Sequence, residues 1–161
     1  MYSHVPMCAR VAGQVGDYFD SKVGVKQGDP LSPLLFGLFL DGVEQHIRSV
    51  VPGAGVRIGG GRCPLLFYAD DIVLLATTSQ QLQAQLVALH QFCDVQGMQV
   101  NVPKTKLLVT GEKRPYRDVY SYAGEPLEQV AMFKYLGVEV HAIGGMKGSH
   151  DAIATAATKA L

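Results

Sequence analysis

Cysteine is scarce in this chain, and the few it has do not pair. Cys8, Cys63 and Cys93 are odd in number and widely spaced, which argues against a disulfide-framed fold, and no C-x-x-C pair suggests zinc. The five histidines are scattered and offer no ligand spacing. Long apolar runs are missing as well. The longest, Leu34–Leu40 and Ile72–Ala76, fall well short of the roughly 20 residues that a membrane helix needs. Met1-Tyr2-Ser3-His4-Val5-Pro6 has no charged-then-apolar secretory pattern. The expectation is an intracellular protein, cytoplasmic or nuclear, with no membrane partner. Charge of either sign is not in excess: 14 Lys and Arg balance 14 Asp and Glu. A nucleic-acid binder usually carries a basic excess for its phosphate contacts, so the balance gives that role no support. Repeats and low-complexity segments are absent too.

What is present is a globular composition. Hydrophobic residues make up 48% and charged residues 17% of the 161 positions, which suits one domain with a real core. Lys104, Lys106, Lys113, Arg114 and Arg117 fall close together, with Lys134 further on. They form either a solvated face or a phosphate-facing patch.

Periodicity and punctuation outline the elements. Val11 to Val25, broken by Gly13, Gly16 and Gly24, reads as a loose hairpin ending at Gly24. Ser32 followed by Pro33 is a helix start, with Ser32 as the N-cap. Apolar residues at 34, 35, 38, 39, 43, 47 and 50 then have helical spacing. Pro52 and Gly53 stop that helix by Val51. The glycine-rich stretch 53–61 is a turn or hairpin tip. Leu65–Tyr68 and Ile72–Ala76 read as two strands around an acidic turn, Ala69-Asp70-Asp71. Thr78 with Gln81 makes a capping box. A second helix follows to about Gln96, with Leu82, Leu86, Leu89 and Cys93 on one face and Gly97 as its stop. Short strands are predicted at 98–101, 106–110, 119–122 and 135–140, and a helix over 151–161. The order predicts an α+β fold with helices on one face of an antiparallel sheet.

Asp70 and Asp71 are the residues that call for a chemical explanation. Aspartate is at home in turns, so the pair could simply close a hairpin. The alternative is chemical. Apolar strands on both sides would hold the two charges at a partly buried sheet edge, and such like charges are unfavourable without a cation. A hard divalent ion takes carboxylate oxygens together with substrate phosphates, as two-metal phosphoryl transfer requires. Neighbouring side chains on a strand diverge, so a further carboxylate from another strand is expected.

Four blocks resemble the reverse transcriptases of non-LTR (LINE-type) retrotransposons. Gly24-Val25-Lys26-Gln27-Gly28-Asp29-Pro30-Leu31-Ser32-Pro33-Leu34-Leu35-Phe36 resembles their motif B. Phe67-Tyr68-Ala69-Asp70-Asp71 resembles motif C. Gly97-Met98-Gln99-Val100-Asn101-Val102-Pro103-Lys104-Thr105-Lys106 resembles motif D, and Phe133-Lys134-Tyr135-Leu136-Gly137 the primer-grip motif E. One such block is weak evidence, whereas four in family order are specific.

The resemblance implies a right-hand polymerase palm over residues 1–140, with 141–161 a linker or cut helix toward a thumb. It implies that Asp70 and Asp71 bind catalytic Mg2+ and that Tyr68 packs beneath the primer end. Gln27 and Gly28 would line the nucleotide and template side. Lys104 would stabilise or protonate the leaving pyrophosphate. Phe133, Lys134, Tyr135 and Gly137 would grip the primer. RNA template, DNA primer and dNTP are the implied partners. For Lys104 the plainer reading is a surface lysine, and for the aromatics it is ordinary core.

The chain departs from the family pattern upstream. The motif A aspartate has no counterpart here, and fingers and thumb are expected to be missing. Tyr18-Phe19-Asp20 is a tempting substitute, but Asp20 and Asp17 lie too near motif B. The expectation is a polymerase segment with little or no activity alone, or else a non-catalytic remnant that at most binds nucleic acid or a partner. A group II intron maturase shares Tyr-Ala-Asp-Asp but would carry a maturase region.

Overall fold

The computed structural model describes residues 5–21, 30–111 and 118–143 of the chain. It opens with an antiparallel hairpin of β1 (Val5–Val11) and β2 (Gln14–Ser21). Ala12 and Gly13 make the reversal at φ 49° and 85°, the positive values that a two-residue turn between right-twisting strands requires. The hairpin predicted over 11–25 therefore lies earlier, because the chain already reverses at Ala12-Gly13. Residues 22–29 lie outside the described residues.

Helix α1 (Ser32–Val50) follows. Ser32 is already helical and buried, and the cap position belongs to Leu31, which has no side-chain acceptor. The predicted Ser32 cap is thus displaced by one residue, and Pro33 still sits in the first turn. The helix ends as expected, with the Val51 N–H donating to the Ile47 carbonyl at 2.8 Å. Its buried apolar face is Leu40, Val43 and Ile47, whereas Leu34, Leu38, Phe39 and Val50 are exposed. Spacing identifies a helical stripe but not which part of it finds a partner.

Two hairpins come next. The first joins β3 (Val56–Ile58) to β4 (Gly61–Cys63) through Gly59-Gly60, and the second joins β5 (Leu65–Tyr68) to β6 (Asp71–Leu74). Helix α2 (Ser79–Val95) starts at the predicted cap. The Thr78 hydroxyl accepts from the Gln81 N–H at 3.2 Å, and the Gln81 carboxamide accepts in return from the Thr77 N–H at 3.1 Å. Its end is a Schellman closure. Gly97 lies at φ 66°, Met98 N–H donates to the Cys93 carbonyl and Gly97 N–H to that of Asp94.

The remaining strands are short: β7 (Lys106–Leu107), β8 (Ser121–Tyr122), β9 (Glu125–Pro126), β10 (Glu128–Gln129), β11 (Met132–Tyr135) and β12 (Val138–His141). No strand forms at 98–101. Just beyond it the Asn101 carbonyl and side chain accept from Lys104 N–H, Thr105 N–H and the Thr105 hydroxyl, which folds 101–105 into a turn. The single strand predicted at 135–140 is a hairpin, reversed by Leu136 and Gly137 at φ 49° and 84°. The helix predicted at 151–161 lies outside the described residues.

Among the described residues the architecture is mixed α/β, with two helices and small, mostly antiparallel sheets. The one sheet expected from the sequence appears, among the described residues, as separate two-stranded ladders, of which β7–β10 is parallel. The core lies where α1 meets α2. Leu40, Val43 and Ile47 pack with Leu86, Ala88, Leu89, Phe92 and Cys93, joined by Leu65, Leu107, Tyr120 and Tyr122. Each such large side chain contributes roughly 1.5–3 kcal/mol by leaving water.

Glutamines of α2 tie the connections to this core. Gln81 donates to the Gly53 carbonyl, Gln83 pairs with both backbone groups of Ser121, and the fully buried Gln85 donates to the Pro64 carbonyl. No helix among the described residues is long and apolar enough to cross a membrane.

Candidate catalytic hairpin

The β5–β6 hairpin is fixed at one end and free at the other. At its root the Pro64 carbonyl accepts both from the Leu75 N–H at 2.7 Å and from the Gln85 carboxamide at 3.1 Å. Leu65 is buried there, and Ile72 and Leu74 pack against the core. Exposure then climbs along β5, from 4% at Leu65 through 44% and 45% at Leu66 and Phe67 to 64% at Tyr68. The hairpin thus projects out of the core and carries its tip into solvent.

The tip is a two-residue turn of Ala69 and Asp70, with Asp71 opening β6 opposite Tyr68. Ala69 sits in the left-handed region at φ 52°, which costs about 1–2 kcal/mol for a residue with a Cβ. Among the described residues, three other turns share that left-handed first residue: Ala12-Gly13, Ala123-Gly124 and Leu136-Gly137. Each continues with glycine. At the β5–β6 tip Asp70 follows instead and lies outside the left-handed region, so this turn differs from the other three. Asp70 and Asp71 are both exposed, which corrects the expectation of a partly buried pair: the root is buried, not the tip.

As a donor set, two adjacent carboxylates at an open tip fit a hard, oxygen-preferring divalent ion that keeps water and substrate oxygens as its other ligands. They do not form a closed protein site. Among the described residues no group of three or more His, Cys, Asp or Glu is gathered to hold a metal.

The other residues singled out from the sequence are distributed around the fold. Lys104 lies exposed in the Asn101 turn and makes no hydrogen bond or ion pair with Asp70 or Asp71. Phe133, Lys134 and Tyr135 lie on β11, facing Val140, Glu139 and Val138 in register, with Gly137 in the reversal. Phe133 and Lys134 are exposed and Tyr135 is half-buried, so the plainer reading of these aromatics as ordinary core does not hold for Phe133. Gln27 and Gly28 lie outside the described residues, as do Lys113, Arg114 and Arg117.

The core also holds a polar contact that no local pattern of residues signals. The Cys93 thiol on α2 is hydrogen-bonded to the Tyr122 phenol on β8, and His90 meets the Tyr122 ring edge-on at 5.3 Å. Burial pushes the Cys93 thiol above its ordinary value, with the Tyr122 hydrogen bond opposing the shift. Burial likewise pushes the Tyr122 phenol up, reinforced by the Cys93 hydrogen bond and by the charges of Cys93 and Asp94. Both groups are held neutral, as suits a structural contact.

Comparison with known proteins agrees with this geometry. Residues 2–140 match the family described as reverse transcriptase (RNA-dependent DNA polymerase). The chain is 33% identical over 122 residues to the retrovirus-related Pol polyprotein from type-1 retrotransposable element R2 of Popillia japonica, a match that covers 71% of this chain and 17% of that protein. It is 34% identical over 131 residues to the corresponding R2 protein of Nasonia vitripennis, covering 75% of this chain and 12% of the relative. It is 33% identical over 135 residues to the Pol polyprotein from type-2 retrotransposable element R2DM of Drosophila melanogaster, covering 77% and 12%. The chain thus spans less than a fifth of the length of these relatives. With the acidic hairpin rooted in the core and the family match running across nearly all of the described residues, the chain belongs to the reverse transcriptase family, the RNA-directed DNA polymerases, and to its non-LTR retrotransposon branch.

Proposed function

We propose that residues 1–140 are a palm segment of an RNA-directed DNA polymerase and that the β5–β6 tip is its metal-binding edge. The observation that carries this reading is the Ala69-Asp70-Asp71 tip, where two adjacent exposed carboxylates stand at the end of a hairpin whose other end is rooted in the core. Asp70 and Asp71 hold magnesium, which when bound supplies charge neutralisation at the phosphoryl group being transferred.

The other roles belong to the chain's own residues. The exposed Tyr68 ring, across from Asp71, supports the primer end. Gln27 and Gly28 line the nucleotide and template side, where a residue without a Cβ allows close approach. Lys104 offers its ammonium to the leaving pyrophosphate as a charge partner or proton donor. Phe133, Lys134, Tyr135 and Gly137 form a hairpin against the primer, and residues 141–161 lead onward as a linker. RNA template, DNA primer and dNTP are the substrates, which places the protein inside the cell.

Two carboxylates on one hairpin do not complete a two-metal site, which clamps both ions from more than one strand. We therefore propose that the 161-residue chain alone has little or no polymerase activity. A non-catalytic remnant that binds nucleic acid or a partner is the second reading, favoured by the lack of a third clustered acid among the described residues. Primer extension on an RNA template tests both. The purified chain should extend no more primer than its Asp70→Asn variant, and robust extension abolished by that substitution would overturn the proposal of inactivity. Within a longer polypeptide that supplies a further aspartate strand, extension should appear, and Asp70→Asn should lower it by at least about 100-fold. Equal activity of that variant would remove Asp70 from the metal site.

A further inference from the structure

The charge balance of the chain conceals a local excess. Between Glu44 and Asp70 there is no acidic residue, while Arg48, Arg57 and Arg62 all fall in that interval. The fold gathers these arginines at the β3–β4 hairpin. Arg57 and Arg62 face each other directly across the ladder, a like-charge pairing that is unfavourable without an anion between or beside the two. Both are exposed.

The three arginines are held differently. Arg48 is already engaged, with Nε and Nη2 on the Glu44 carboxylate at 2.9 and 2.6 Å and Nη2 also on the Arg62 carbonyl at 2.6 Å. Its charge is answered, and it braces the hairpin against α1. Arg62 donates from Nη1 to the Gly55 carbonyl at 2.9 Å, which orients its guanidinium, and its charge has no acidic partner among the described residues. Arg57 has no hydrogen-bond or ion-pair partner among the described residues. Beyond the pair, a Cβ added at Gly59, Gly60 or Gly61 would meet nothing within 4 Å, so a ligand can approach the backbone at the tip without obstruction.

A planar fork donor matches phosphate oxygens two at a time, which an ammonium does not. We propose that the β3–β4 hairpin is a phosphodiester-binding element separate from the acidic hairpin, with Arg57 and Arg62 gripping neighbouring phosphates of one nucleic-acid strand. This rests on the nucleic-acid reading above. It assigns a function to a segment that lies between the motif B and motif C blocks and belongs to neither.

Salt-dependent binding tests it, because the slope of log K against log salt grows in a known proportion with the number of phosphates that the protein neutralises. Fluorescence anisotropy with labelled single-stranded RNA, single-stranded DNA of the same sequence and the RNA–DNA duplex would be run on the whole chain from about 50 to 200 mM salt. Arg57→Gln should not lower the thermal melt, since Arg57 has no hydrogen-bond or ion-pair partner among the described residues and faces the like-charged Arg62, and it should make the slope shallower by about 0.7–0.9. Arg57→Gln with Arg62→Gln should change it by about twice that, and Arg57→Lys should keep the slope with weaker binding. The ligand showing the change identifies the strand held. If the unsubstituted chain binds and Arg57→Gln has the same slope, this assignment is wrong while the nucleic-acid reading stands. If the unsubstituted chain binds none of the three ligands, that reading fails and this proposal with it.

Discussion

The β1–β2 and β5–β6 hairpins are built alike and situated very differently. Each is an antiparallel pair reversed by two residues, the first an alanine in the left-handed region. In β1–β2 every described side chain from 6 to 20 is exposed, Met7, Tyr18 and Phe19 among them. In β5–β6 the root is clamped at the Pro64 carbonyl and packed through Leu65, Ile72 and Leu74. A hairpin places charge at a defined point only if something rigid holds its other end. The acidic pair sits on the hairpin that has that support, and the support stops short of the tip, so the carboxylates remain accessible to ions and substrate.

The sharpest way to break this contrast is at Gly55, which lies against the chain entering β5. A Cβ there would come within 2.2–2.4 Å of Cys63 O, Cys63 C and Pro64 N, at a φ of 97°. Gly55→Ala should cost upwards of about 4 kcal/mol, or prevent folding, because rigid backbone would have to move. Gly13→Ala, in the β1–β2 turn, is the matched test. At φ 85° with nothing within 4 Å, it should cost only about 1–2 kcal/mol. Urea unfolding of both variants measures the difference, and a loss at Gly55→Ala as small as that at Gly13→Ala would show that the backbone at the β5 root yields to a Cβ.

Side-chain truncation gives a smaller separation. Leu65→Ala should lose about 2–5 kcal/mol by opening a cavity, whereas Phe19→Ala in the exposed hairpin should stay within about 0.5 kcal/mol. A large loss at Phe19 would mean that β1–β2 is covered in solution. The smallest effect is alkaline. Cys93 and Tyr122 have folded values above their ordinary 9.0 and 10.0, so the unfolded chain ionises first. Their contribution is complete below about pH 9 and is lost as pH rises toward the folded values. Tyr122→Phe should flatten that alkaline decline in melting temperature, and an unchanged decline would place its origin elsewhere.

Much of this fold is legible residue by residue. Thr78 with Gln81, Gly97 after α2, Pro52-Gly53 after α1 and Ala69-Asp70 between two apolar runs each act through bonds or dihedrals within a few positions. The sequence therefore determined the second helix, the acidic hairpin and, through four motifs in order, the family. Its errors lie where local signals compete or where partners are remote. The strand predicted at 98–101 gave way to irregular chain leading into the Asn101 turn, and Leu136-Gly137 split another strand into a hairpin. Only the tertiary structure decided which apolar residues of α1 are covered, that Gln85 is buried beneath Pro64, and that Arg57 faces Arg62. It also decided that Asp70 and Asp71 are wet, because burial depends on what packs from elsewhere in the chain, and no neighbouring residue carries that information.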